Sequence, residues 1–84
     1  MNYYVYLLIT KIKNRTISYV GYTNDLKKRI KLHNTNKGAK FTKGKKWRLL
    51  YYKKYESKIS AMKEEYKLKK NYKLRKKIKN RILN

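Results

Sequence analysis

One stretch of this chain has to be covered whatever fold it adopts. Tyr3–Thr10 (YYVYLLIT) contains no charged residue. Tyr3, Val5, Leu7 and Ile9 alternate with Tyr4, Tyr6 and Leu8, so both faces of an extended segment are apolar and a well-covered strand fits. Its apolar centre, Val5–Ile9, is too short to span a membrane, and it has neither the basic region nor the small-residue cleavage site of a secretory leader. The expectation is a cytoplasmic, intracellular protein with no membrane partner. A length of 84 residues allows one domain, residues 1–84, with a small core.

The rest of the chain is dominated by positive charge. Lys and Arg number 26 against 4 Asp and Glu, a net charge of +22. Self-repulsion on that scale opposes a compact state, so a polyanion is the expected partner, nucleic acid first and an anionic membrane second. Part of the charge reflects coding bias, because Lys, Asn, Ile and Tyr are all heavily used, as in an AT-rich gene. High charge also describes disordered chains, but the absence of Pro, three Gly and ten Tyr argue against disorder. Without Cys there is no disulfide, no thiolate nucleophile and no Cys-based zinc site. One His cannot build a multi-His centre. A carboxylate-rich two-metal site would have to use nearly all of the four acids, Asp25, Glu56, Glu64 and Glu65. Any catalysis must run on one or two carboxylates, His33, Tyr, Lys, Arg and backbone.

The remaining elements follow from turn and capping residues. Lys11–Arg15, centred on Asn14, is a hairpin turn, and Ile17–Tyr22 (ISYVGY) is the second strand. Gly21 within it signals a bulge or a close backbone approach. Thr23, Asn24 and Asp25 offer caps for a helix from Leu26 to about Asn34. Asn34–Gly38 and Lys43–Lys46 read as loops. Trp47–Tyr55 is a third strand, with Trp47, Tyr51 and Tyr55 expected in the core on one face. Ser57 caps a helix of about Lys58 to Lys70, and a third helix runs from Tyr72 to Leu83. The class is α+β, in the order β-β-α-β-α-α.

Some polar residues face the wrong way for solvent. On a wheel of roughly 100° per residue, Leu26, Ile30 and Leu32 mark the apolar arc of the first helix. Arg29 and His33 fall inside it, one turn apart. On the second helix, Ile59, Ala61, Met62, Tyr66 and Leu68 mark the arc, Glu65 sits near its middle, and Glu64 lies on the polar side. A snorkelling Arg, a satisfied core His and a paired carboxylate would be the structural explanations. Convergence of the three would instead supply a cation for phosphate, a proton acceptor and a hard-metal ligand, as phosphodiester hydrolysis requires.

At these residues the chain resembles the GIY-YIG nuclease superfamily, in a compact form similar to its branched-DNA and excision-repair branches. Tyr4-Val5-Tyr6 stands for the first tripeptide and Tyr19-Val20-Gly21 for the second. YTNDLKKRIKLHN follows with Arg29 and His33, then GAKFT, a Trp47 strand, and AMKEEYKLKK with Glu65. The first tripeptide's Gly is Tyr4 here and its Ile positions are Val. The resemblance implies a three-stranded antiparallel sheet flanked by helices and metal-dependent hydrolysis of DNA by water, with Mg²⁺ (or Mn²⁺) as cofactor.

Carried over, Tyr6 is the general base or orients the attacking water, and Tyr19 orients water or phosphate. Arg29 stabilises charge on the phosphate. His33 assists proton transfer or hydrogen-bonds the tyrosines, and Glu65 holds a single divalent metal. Lys40 and Thr42 of GAKFT join the nucleic-acid contacts, and Asn71 or Asn80 is the counterpart of a later Asn. Ordinary strand packing is the alternative for Tyr6 and Tyr19. A phenol pKa of ~10 is normally too high for a base, so cations and a metal are expected to lower it. Arg29 beside His33 is expected to strip the imidazole of its proton.

Lys43, Lys45 and Lys46 form a phosphate-contacting loop, and Lys69 and Lys70 open a basic face that tracks the DNA backbone. The functional expectation is a metal-dependent DNA endonuclease with weak sequence preference, selecting its substrate by DNA structure or through a partner protein, acting as a monomer or homodimer. The alternative is a non-catalytic basic nucleic-acid-binding module, nucleoid- or ribosome-associated.

Overall fold

The structure, a computed structural model, describes residues 1–83 and the side chains of 1–82. Strand β1 (Tyr3–Ile12) is central, with β2 (Arg15–Thr23) and β3 (Arg48–Tyr55) antiparallel on either side. Helix α1 (Leu26–Asn34) follows β2, α2 (Lys58–Lys70) follows β3, and α3 (Tyr72–Leu83) ends the described chain. The class and order are those expected. None of these helices is long and apolar enough to cross a membrane.

The apolar run of β1 serves two cores. Val5, Leu7 and Ile9 face one side with Val20, Leu50, Ala61 and Leu68. Tyr6 and Leu8 face the other with Trp47, and Ile17, Tyr19, Leu26, Ile30 and Leu49 pack against them. The sheet is therefore covered by α2 and α3 on one face and by α1 on the other. Each fully buried Val, Leu or Ile contributes about 1.5–3 kcal/mol.

The hairpin is tighter than expected. Ile12 pairs with Arg15, leaving only Lys13 and Asn14 in the turn, and Lys13 takes φ 56. Positive φ at the first turn position matches the twist of a two-residue hairpin. Both early helices start where the sequence placed their caps. Asp25 accepts from the Lys28 N–H at 3.1 Å, and Ser57 accepts from the Ser60 N–H at 3.1 Å.

Two expectations fail in the packing. Trp47 does not share a face with Tyr51 and Tyr55: it lies on the α1 side, and they pack on the α2 side. The β1–β3 register shifts between Leu7 and Leu8, so that Leu7 pairs with Tyr51 and Leu8 with Leu49. Leu50 is the extra residue, and one extra residue turns every later side chain to the opposite face.

On α2 the buried stripe is narrower than the apolar periodicity predicts. Ala61 and Leu68 are buried, whereas Ile59, Met62 and Tyr66 are exposed. At roughly 100° per residue these are two stripes on nearly opposite sides of the helix. The sheet takes the stripe with the small Ala61. Glu64, expected among the solvated lysines, is half-buried on that inner side.

Candidate active site

Tyr6 lies across the sheet from Gly21, its register partner on β2. A Cβ on Gly21 would collide with the Tyr6 hydroxyl and ring. The glycine therefore marks a close approach of side chain to backbone. It lets the Tyr6 ring lie flat over β2, 1% exposed.

His33 comes from the last turn of α1 and is 0% exposed. Its Nε2 stands 2.8 Å from the Tyr6 hydroxyl and its Nδ1 2.9 Å from the Thr42 hydroxyl. Thr42 ends a single 3-10 turn, Lys40–Thr42, and its hydroxyl donates to the Ala39 carbonyl at 2.7 Å. Gly38 permits this arrangement, because a Cβ there would stand 2.5 Å from His33 Nδ1.

Two further contacts hold the loop. The Trp47 indole N–H donates to the Thr42 carbonyl at 3.0 Å. The Asn34 side chain bonds the Trp47 backbone twice, accepting from its N–H at 2.6 Å and donating to its carbonyl at 3.0 Å. The end of α1 is thereby tied to the start of β3.

The aromatic surroundings complete the pocket floor. Tyr19 is half-buried, with its ring 5.1 Å from the His33 ring and 6.5 Å from that of Tyr6. Phe41 stacks on Tyr19 at 6.1 Å, and half of it stays exposed. Tyr19 is thus nearer to solvent than Tyr6.

The electrostatics depart from one expectation. Burial pushes the Tyr6 phenol up to about 12, and the Arg29 guanidinium, which favours the ionised form, does not overcome it. Tyr6 therefore keeps its proton at neutral pH. Burial first and the Arg29 charge second pull His33 down to about 4, so the imidazole is neutral as expected. Glu65 acts on Tyr6 from the other helix layer. Its side chain is 18% exposed, and its charge adds to the upward push on Tyr6. Because β2 is an edge strand, the two layers can meet around it.

Tyr6, Tyr19 and His33 are therefore in mutual contact, and the charges of Arg29 and Glu65 act on this group from the two helix layers. Among the described residues no group of three or more His, Cys, Asp or Glu gathers. A cation here would rest on the Glu65 carboxylate and take its remaining ligands from water and phosphate. Such a donor set fits Mg²⁺, which is commonly bound through one or two carboxylates plus substrate phosphate. Glu65 meanwhile pairs with Lys69 at 3.4 Å.

The basic residues divide. Lys40, the first residue of the 3-10 turn, and Lys43, just after it, are exposed. Lys69 lines a recess of about 210 Å³ at the β2 edge with Ser18, Tyr19, Val20 and Arg75. Lys45, expected on a phosphate, folds back instead. Its ammonium donates to the Phe41 carbonyl at 2.9 Å and sits over the Phe41 ring. Lys46 lines a groove with Ile9, Lys11 and Thr16, away from the site. Lys70 stands over the Tyr66 ring, 4.4 Å from its centroid.

Thr42 also departs from its expected role on nucleic acid. It is 0% exposed and its hydroxyl is engaged twice, so its side chain faces His33 and the loop. The small pair Gly38-Ala39 ahead of it was the available signal of close backbone approach. Asn71 caps α3 by accepting from the Leu74 N–H at 3.0 Å, and Asn80 is exposed on α3.

The sequence profile of the GIY-YIG catalytic domain matches residues 2–79. A UPF0213 protein of Oceanobacillus iheyensis is 44% identical over 68 residues, covering 80% of this chain and 76% of the relative. A UPF0213 protein of Clostridium perfringens is 46% identical over 68 residues, covering 80% and 70%. The solution NMR structure of a UPF0213 protein from Bacillus halodurans is 41% identical, covers 92% of this chain and 80% of its own, and superposes with a TM-score of 0.49.

Proposed function

The chain belongs to the GIY-YIG family, and from that premise we propose that it is a metal-dependent endonuclease that hydrolyses phosphodiester bonds in DNA as one domain. The observation that carries this reading is the joining of Tyr6 to His33 at 2.8 Å within reach of the charges of Arg29 and Glu65.

In this reading Arg29 neutralises charge that builds on the scissile phosphate, where a planar guanidinium fork suits the oxygens. Tyr19, the more exposed phenol, orients the attacking water or a phosphate oxygen. Tyr6 is too strongly protonated to act as a free phenolate. It takes a proton from water as its own leaves along the hydrogen bond to His33. Glu65 would hold the divalent cation, which when bound supplies Lewis-acid polarisation of the phosphate. Lys40, Lys43 and Lys69 contact neighbouring phosphates. Selectivity comes from DNA shape or from a partner protein.

The test incubates purified protein with plasmid and with branched DNA, with and without Mg²⁺, beside Glu65→Ala. Metal-dependent cleavage that is lost in Glu65→Ala while DNA binding persists is the expected result. Full cleavage by Glu65→Ala would overturn the metal assignment. The Lys69–Glu65 pair equally suits a purely structural carboxylate in a non-catalytic binding module. Absence of metal-dependent cleavage on every substrate decides for that module.

A further inference from the structure

His33 is a buried imidazole with a hydroxyl at each nitrogen, and which nitrogen carries the proton decides what it can do. The answer lies one residue beyond the ring. The Ala39 carbonyl can only accept. It takes the Thr42 backbone N–H at 3.0 Å and the Thr42 hydroxyl at 2.7 Å. A hydroxyl has one proton. With that proton committed to Ala39, the Thr42 oxygen can meet His33 Nδ1 only as an acceptor. A bare Nδ1 would leave two acceptors facing each other at 2.9 Å.

We propose that Thr42 is a positioning residue that holds His33 in its Nδ1–H tautomer, leaving Nε2 bare to accept the Tyr6 hydroxyl. The proton chain then has one direction. Tyr6 donates to Nε2, Nδ1 donates to Thr42, and Thr42 donates to the Ala39 carbonyl. In the resting protein a second proton on the ring would require Tyr6 to accept rather than donate. Burial and the Arg29 charge both disfavour that form. The Trp47 indole on the Thr42 carbonyl and the absent side chain of Gly38 hold the terminus of the chain against the ring.

The consequence for catalysis rests on the nuclease reading; the tautomer itself does not. An imidazole in the opposite tautomer presents an N–H to Tyr6 and cannot take its proton, a known way to disable a catalytic His. Thr42 thereby acts on the reaction through His33, without touching substrate.

The chain has a single His, so ring ¹⁵N NMR of the intact protein reads the tautomer directly. Wild type and Thr42→Ser are expected to show a protonated Nδ1 and a bare Nε2. Thr42→Val keeps the shape and removes the acceptor, and it is expected to populate the Nε2–H form. Its cleavage is expected to fall about 10–100-fold, the usual scale for a lost orienting partner, with Thr42→Ser retaining most activity. A wild-type ring protonated on Nε2 overturns the proposal. So does a folded Thr42→Val protein whose Nδ1–H form is undiminished. Amide spectra report folding, and the wild-type measurement is decisive even if Thr42→Val does not fold. Should the protein cleave no DNA, the nuclease reading fails while the tautomer measurement still stands.

Discussion

His33 ties stability to pH. Its pKa falls from 6.5 in the unfolded chain to about 4 in the fold. Between those values the unfolded chain binds the extra proton, so stability is complete above about 6.5 and declines as pH drops toward 4. A shift of that size corresponds to about 3 kcal/mol. Denaturant titrations at successive pH values are expected to show this loss, and a flat profile between pH 7 and 4 would refute it. His33→Gln should remove most of the decline. Tyr6→Phe deletes the donor to a buried Nε2, which costs about 1–3 kcal/mol, and in the proposed role it also abolishes cleavage. Gly21→Ala has no room beneath the Tyr6 ring, so it should displace Tyr6 and reduce cleavage more than its small size suggests. Much of this site was legible in the chain. Arg29, His33 and Glu65 stand out because helical spacing puts polar groups on inward faces. The burial of Thr42 is not legible in the chain, because its hydroxyl is held by a backbone carbonyl, Ala39, and by a side chain nine residues away, His33. The protonated state of Tyr6 was missed because burial is a property of the packed core.

Among the elements, the end of α1 and the start of β3 are joined through a single side chain. Asn34 bridges them through two bonds to the Trp47 backbone. Asn34→Ala leaves that part-buried N–H and carbonyl unpartnered, at a cost of about 1–3 kcal/mol. Amide exchange at Trp47 should then accelerate more than exchange within β1, and equal rates would show that the bridge does not hold the segment. Element order and helix starts were readable because Asp25 and Ser57 are local signals, each settled by a side chain and an N–H three residues on. The face assignment of β3 was not readable. The bulge at Leu50 exists only in the pairing with β1, and alternation along WRLLYYKKY gives no hint of an inserted residue. The α2 arc failed for a related reason. Both of its stripes are apolar, and the sheet alone selects the one with Ala61.

For the molecule as a whole, the +22 charge opposes folding and, in the proposed function, favours DNA binding. Added salt screens self-repulsion and should raise the urea midpoint. The same salt should weaken DNA binding, with log K falling by about 0.9 per phosphate contact for each tenfold rise in salt. Parallel titrations that moved both quantities the same way would contradict an electrostatic origin. The placement of Tyr6 and Glu65 on opposite sides of β2 also limits how this architecture can grow. A fourth strand hydrogen-bonded beyond β2 would wall one group off from the other. Insertions that lengthen the Lys13-Asn14 hairpin tip leave that border free, and accessory segments added by evolution or by design belong there or beyond β3. In the proposed function the outer edge along Ser18–Val20 stays unpaired, an open border through which groups from both layers reach one phosphate.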